Sequence, residues 1–283
     1  MRPRKIVWLC VASLLALLLA VDLYRSQNTM TVTRYTVASP KITAPLTLVQ
    51  LTDLHNRSFG KDNARLIRLV AEQKPDLILI TGDMLTYSQK RKDVPIRLAQ
   101  DLAGIAPVYY GYGNHEERHG LNWGGDLATD LRGAGAVVLE RDFVDVEIGG
   151  NHLRIGGSSG YLLTGEATYG WAAPGLRFMR AYCDTDAMKL LLAHQPEAFL
   201  LWGSMEYYDL DLTFCGHLHG GQVRLPLVGG LFTPESGFFP KYTKGLVERD
   251  GSTLILSGGL GSGGLVPRLN NVPELVCVTL IPG

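Results

Sequence analysis

Five short stretches of the chain carry side chains able to bind a metal: Asp53-Leu54-His55, Gly82-Asp83, Gly113-Asn114-His115-Glu116, Ala193-His194 and Gly216-His217-Leu218-His219. Singly, each is ordinary. An Asp-x-His is commonly a turn carboxylate beside an unrelated histidine, a Gly-Asp pair is commonly a turn or helix cap, and an isolated histidine is commonly a satisfied core residue. Together the stretches hold five of the seven histidines, leaving His119 and His152 as expected loop and strand residues. The spacing of His217 and His219 lets both side chains point the same way from an extended segment. Imidazole, carboxylate and amide oxygen without thiolate suit manganese, iron or zinc. The seven donors Asp53, His55, Asp83, Asn114, His194, His217 and His219 exceed what one tetrahedral ion takes. Two divalent ions sharing one carboxylate would use them all. Such a pair, about 3.5 to 4 Å apart, activates water and clamps the attacking and leaving oxygens of a displacement at phosphorus. Hydrolysis of a phosphate ester is the chemistry these residues predict.

Each stretch follows a run that reads as a strand, and in α/β sheets sites form where the carboxyl ends of strands converge. Leu46–Leu51 is a compact apolar strand, Asn63–Gln73 carries Ala64, Ile67, Val70 and Ala71 on one helical face, and Leu77–Thr81 is again a strand. That is a βαβ unit. Met30–Val37 alternates like an edge strand, and Pro95–Ala103 predicts a second helix before the strand Val108–Tyr110. Further strands are expected at Val137–Leu139, Phe143–Ile148, His152–Ile155, Lys189–Ala193, Leu210–Cys215 and Thr253–Leu256. Residues 230–245, rich in glycine, proline and aromatics, predict no particular conformation. The composition, 46% hydrophobic and 19% charged, excludes disorder and fibrous repeats. Cys10, Cys183, Cys215 and Cys277 form no CxxC pair, which excludes a disulfide scaffold and a zinc finger; Cys215 is expected inside a strand.

Ile6 to Val21 is an uncharged run of 16 residues. With Leu23 and Tyr24 it would reach roughly 24 to 28 Å as a helix, close to a bilayer's hydrocarbon thickness. No small-residue cleavage site follows, so an uncleaved transmembrane anchor is expected. Arg2, Arg4 and Lys5 precede it, against Arg25, Arg34 and Lys41 beyond, and the tighter N-terminal cluster predicts a catalytic domain outside the cell membrane. The expected division is residues 1–25 as flank and anchor, 26–45 as linker and edge strand, and 46–283 as catalytic domain. Beyond residue 25 there are 23 basic and 26 acidic residues, a net charge of −3, which predicts no nucleic-acid partner.

The stretches at Asp53-x-His55, Gly82-Asp83, Gly113-Asn114-His115-Glu116, His194 and Gly216-His217-x-His219 resemble, in order, the motif series of the calcineurin-like metallophosphoesterase superfamily. The resemblance covers Leu46 to Gln222. Gly216-His217-Leu218-His219-Gly220-Gly221-Gln222 and the terminal Pro267-Arg268-Leu269-Asn270-Asn271-Val272-Pro273-Glu274-Leu275 are similar to the bacterial membrane-associated branch that includes the YkuE- and YaeI-type phosphodiesterases. The resemblance implies an αββα sandwich of two mixed sheets. It implies that Asp53, His55 and His219 hold one metal, that Asn114, His194 and His217 hold the other, and that Asp83 bridges them. It implies attack by a metal-bound hydroxide, with His115 outside the metal shell, protonating the leaving oxygen or stabilising charge on the phosphoryl group. Thr86 stands where many members carry an Asp that orients this histidine, so the acid role of His115 loses that support. Glu116, Arg57 and Arg224 are expected as solvated loop charges or, failing that, as phosphate contacts. The glycines at 216, 220 and 221 are expected to permit close backbone approach. The implied activity is hydrolysis of phosphodiester or pyrophosphate bonds, with lipid-linked or envelope-derived substrates preferred over polynucleotides. A pyrophosphatase of the UDP-2,3-diacylglucosamine type and a non-catalytic envelope-binding protein are the alternatives.

Overall fold

Alternation along the strands decides the layering. In the computed structural model, which describes residues 3–159, 173–201, 203–234, 236–263 and 266–283, β2 (Leu46–Leu51) sends Leu46 and Leu48 to one face and Val49 and Leu51 to the other. β3 (Leu77–Thr81) divides Leu77 and Leu79 from Ile78 and Ile80 in the same way. A strand with both faces apolar must be covered twice. Val49, Leu51, Ile78 and Ile80 pack under α2 (Ala64–Ala71), α3 (Asp93–Ala103) and α5 (Leu127–Gly133). Leu48, Leu79 and Tyr109 instead meet Ile155, Leu190 and Phe214 of a second sheet.

The first sheet has the order β1-β16-β2-β3-β4-β5 and includes β1 (Thr31–Ser39), β16 (Glu274–Pro282), β4 (Val108–Gly111) and β5 (Ala136–Leu139). All its pairs are parallel except β16 with β2. The second, β14-β15-β9-β8-β7-β6, comprises Gly245–Arg249, Ser252–Leu256, Leu212–Cys215, Met188–Leu192, Asn151–Gly157 and Asp142–Ile148, antiparallel only at its two edges. Met179 and Tyr182 of the helix Ala173–Cys183 cover its outer face against Leu191 and Leu254. The result is the expected αββα sandwich of two mixed sheets. Residues 224–238 form two short hairpins, β10 (Arg224–Leu225) with β11 (Gly229–Gly230) and β12 (Phe232–Thr233) with β13 (Gly237–Phe238). α4 (Asn114–Trp123) and β16 were not foreseen as elements.

The N-terminal helix α1 (Pro3–Asn28) contains one segment, Arg4–Asn28, long and apolar enough to cross a membrane; Arg2 lies outside the described residues. The helix runs past residue 25, and the segment expected as a linker is largely ordered into the fold. Asp22 Oδ2 accepts the Asn270 N–H at 2.6 Å, and the buried Ser26 accepts that of Asn271 at 3.3 Å. Arg65 donates to the Asn28 carbonyl at 2.9 Å, and β1 pairs with β16 from Thr31 to Ser39. Ser26, Gln27 and Asn28 looked like loop residues because they are polar; here their polar groups have partners across the fold. The end of the helix is thus docked on the sandwich domain, and the expected edge strand is β1.

Candidate metal centre

The ends of β2, β3 and β4 from one sheet and β8 and β9 from the other meet at one edge of the sandwich. Ladder bonding continues past the strands: Asp53 N–H to Gly82 O at 3.0 Å, His55 N–H to Asp83 O at 3.0 Å, and Gly216 N–H to His194 O at 3.0 Å. Asp53, His55, Asp83, His217 and His219 all have left-handed φ, between 47° and 71°. Such a residue costs on the order of 1 kcal/mol, and clustering of these conformations is typical of sites where orientation matters.

The turns bring the eight predicted site residues together. His55 Nε2 and His219 Nε2 lie 3.2 Å apart, with Asp53 Oδ1 at 3.9 and 3.6 Å from them. Asp83 Oδ2 is 3.1 Å from His194 Nε2, 3.9 Å from His55 Nε2 and 3.8 Å from His115 Nε2. Among the described residues, three overlapping groups could hold a cation: Asp53, His55 and His219; His55, Asp83 and His115; and Asp83, His194 and His217. Asn114 opens α4 beside them and lines the same cavity as Asp83, His115, His217 and His219; its buried Oδ1 has no hydrogen-bond partner among the described residues.

The donor chemistry fits divalent ions. Burial pushes His55 and His219 down to about 3, so both imidazoles are neutral and their facing nitrogens are available. His194 Nδ1 donates to the Thr81 carbonyl at 2.7 Å, which in the neutral ring turns the Nε2 lone pair onto the Asp83 carboxylate. Two lone pairs at that range need a positive charge. Burial lowers His194, but Asp83 and then Asp53 outweigh it and raise the ring to about 10, so a proton fills that need when no ion does. Asp83 feels burial upward more than any other single effect, yet His194, His55 and His115 together hold it well below the carboxylate range. The His115 N–H, at 2.8 Å from Oδ1, adds the positive end of α4.

Behind these residues sits a shell that sequence reasoning had not assigned. Glu116 is neither a solvated loop charge nor a phosphate contact: it is buried and accepts the N–H groups of Asp83 (2.8 Å), Met84 (2.8 Å) and Gly113 (2.9 Å) and the Tyr110 hydroxyl (2.9 Å). Its burial raises its pKa, and the four donors hold the turn that carries Asp83. An acid one turn into a helix, after Gly-Asn-His, was the available signal. Arg224 is turned inward to Gly220 O (2.8 Å) and Thr243 Oγ1 (3.0 Å), and Arg57 reaches Gln27 Oε1 (3.4 Å) while lying over Phe59. Arg268 is fully buried and donates to Gly261 O (2.7 Å) and Gly258 O (2.6 Å); the same loop donates Gly261 N–H to the Asp53 carbonyl at 2.5 Å. Glu274 accepts Gly258 N–H at 2.5 Å from the other side. The terminal motif thus braces Asp53.

A Cβ on Gly216 would overlap the carboxylate of Asp53 and the hydroxyl of Thr52, and the Asn271 amide stands 2.8 Å from where one on Gly220 would lie. Gly216→Ala should therefore leave the fold intact while displacing Asp53. We expect activity to fall at least about 100-fold, with loss of bound metal, as for a misplaced ligand. Elemental analysis beside steady-state rates checks this; full metal content with normal turnover would refute it.

A family profile for calcineurin-like phosphoesterases matches residues 46–221. Phosphodiesterase YaeI of Escherichia coli is 30% identical over 242 residues, covering 84% of this chain and 83% of that protein. The uncharacterized metallophosphoesterase YkuE of Bacillus subtilis is 29% identical over 241 residues, covering 82% of this chain and 78% of its own length. An uncharacterized metallophosphoesterase of Aquifex aeolicus is 29% identical over 286 residues, covering 94% of this chain and 97% of that protein.

Proposed function

The chain belongs to the calcineurin-like phosphoesterase family, a family of metal-dependent phosphoric ester hydrolases, and from that premise we propose that it is a membrane-anchored phosphodiesterase using two divalent ions. The observation that carries the dinuclear reading is the position of Asp83, whose Oδ2 lies 3.1 Å from His194 Nε2 and 3.9 Å from His55 Nε2, so one carboxylate borders both donor groups. Asp53, His55 and His219 would hold one ion, Asn114, His194 and His217 the other, with Asp83 between them. Manganese, iron or zinc suits these donors, and the ions supply Lewis acidity toward phosphoryl oxygens and an activated water at neutral pH.

His115 has a separate task. Its Nδ1 accepts the Tyr87 N–H at 3.3 Å, so the neutral ring carries its proton on Nε2. A ring nitrogen bearing hydrogen does not ligate a metal, so this residue stays outside the ligand set although it borders Asp83. The ring is oriented by a backbone donor, and an acid accepting from Nδ1 would select the opposite tautomer. Burial lowers the His115 pKa more than Asp83 raises it. A neutral N–H aimed into the site donates a hydrogen bond to a phosphoryl oxygen and stabilises charge there.

A lipid-linked or envelope phosphodiester is the proposed substrate, because α1 holds the domain at the bilayer and the site opens into a cavity of about 480 Å³ partly walled by Leu218, Val223, Leu231, Phe232 and Val266. With Arg2, Arg4 and Lys5, the basic residues ahead of the apolar run, retained in the cytoplasm, the catalytic domain faces outside. The test is competition. Full-length enzyme in vesicles, loaded with manganese, should cleave a lipid-linked phosphodiester faster than a soluble oligonucleotide at equal phosphate. Preference for the oligonucleotide would sink the substrate reading, and absence of hydrolysis with manganese, iron or zinc would sink the enzymatic one.

A further inference from the structure

The two hairpins beside the site expose side chains that water does not favour. Leu227, at the tip between β10 and β11, is fully exposed, and Val228 next to it is 59% exposed. Phe238 is 70% exposed and Phe239 58%, and the Phe232 and Phe238 rings, paired across the second hairpin, lie 5.1 Å apart. Hairpin tips are ordinarily polar, and contiguous exposed aromatic and aliphatic surface marks an interaction site.

Backbone bonding joins this surface to the membrane helix. Leu231 N–H donates to Val223 O at 2.8 Å and Phe239 N–H to Leu231 O at 2.8 Å, which links the hairpins into one apron. Val223 bridges Leu269, and Asn270 donates from Nδ2 to Arg224 O at 3.1 Å and from its backbone to Asp22 Oδ2 at 2.6 Å. Asp22 is the first charge after the apolar run of α1, so it marks the level at which the helix leaves hydrocarbon. The apron tip at Leu227 is three residues, at most about 10 Å of chain, from Arg224, which Asn270 links to Asp22; that reach is comparable with the depth of about 5 to 10 Å that interfacial segments occupy. Tyr24, exposed on the last turns of α1, is the residue type found at that boundary.

We propose that residues 224–239 form a second membrane contact, an apron whose Leu227, Val228, Phe238 and Phe239 enter the interfacial layer and set the mouth of the phosphoesterase site on the lipid surface. The proposal rests on α1 being a membrane anchor. The cavity wall shares Leu231 and Phe232 with the apron, so a lipid phosphoester would pass from bilayer to site along apolar surface.

A nitroxide at Leu227→Cys, in a full-length chain carrying Cys10→Ser and Cys183→Ser and reconstituted in phosphatidylcholine–phosphatidylglycerol vesicles, tests this directly. The label should be accessible to oxygen and shielded from a water-soluble nickel chelate. Free access of the chelate overturns the proposal, as does dipolar broadening between labels, which would mean that a second copy covers the apron. If the protein does not partition with the vesicles, the anchor reading falls and this inference with it. In parallel, the triple change Leu227→Ser, Phe238→Ser, Phe239→Ser should lower hydrolysis of a vesicle-borne lipid phosphodiester at least about 10-fold and leave a soluble bis-p-nitrophenyl phosphate unaffected. Equal effects on both substrates would contradict it.

Discussion

Asp83→Asn should abolish both metal sites together and reduce turnover by at least about 10³, the equivalent of several kcal/mol of charge stabilisation. The change keeps the shape of the side chain, and asparagine tolerates the left-handed φ of 53° at this position. The turn itself should survive, because Glu116 holds it through the backbone N–H groups of Asp83 and Met84 rather than through the carboxylate. What disappears is a negative charge that faces His55, His115 and His194 at once. His217→Ala, by contrast, removes a donor from one group only and should leave about one equivalent of metal. Elemental analysis of wild type and both variants checks this. An Asp83→Asn protein with two equivalents of metal and turnover within 10-fold of wild type would refute the shared-carboxylate reading.

His115→Ala should retain its metals and lose roughly 10² to 10³ in turnover, the range for one donor removed from a developing negative charge. Because the proposed donor is a neutral N–H, a p-nitrophenyl diester and a poorly leaving alkyl diester should lose rate by similar factors. A much larger loss on the alkyl ester would identify an imidazolium acid instead. The pH dependence has a definite sign. An imidazolium acid with a raised pKa would lose activity as pH rises through that value; a ring whose pKa is lowered stays in its working neutral form at and above the ordinary histidine value of about 6.5. Its limb therefore lies on the acid side: as pH drops through the lowered pKa a second proton on Nδ1 keeps the Nε2–H but ejects the Tyr87 N–H that orients the ring, so activity falls, and cations bound nearby move that limb further down. His115→Gln, which keeps an N–H donor, should recover part of the loss.

The metal-capable residues were legible because their signal is local. A strand announces itself by apolar residues next to one another, and what stands one to four residues beyond its end follows directly in the chain, so Asp53, Asp83, Asn114, His194 and His217 could all be assigned to strand ends without knowing which strands were neighbours. The apolar N-terminal helix was legible for the same reason: a run of 16 uncharged residues needs no partner to be recognised. Packing between distant segments carries no such local mark. That β1 lies against β16, with Thr33 donating to Glu274 across 241 positions, follows from which apolar faces can be covered at once, and the docking of Asp22 and Ser26 on Asn270 and Asn271 is equally remote along the chain. A charge is stable in water, so nothing local in the sequence marks Glu116 or Arg268 as buried; only the fold gives Glu116 its four donors and Arg268 the carbonyls of Gly258 and Gly261. The proton position on His115 is decided by the Tyr87 N–H, whose direction depends on how one turn is laid against α4. The chain's own order of residues determined which metal-capable groups stand at the strand ends, whereas three-dimensional packing decided which of them are buried, which face a common carboxylate and which backbone groups hold them, because those properties depend on neighbours remote along the chain.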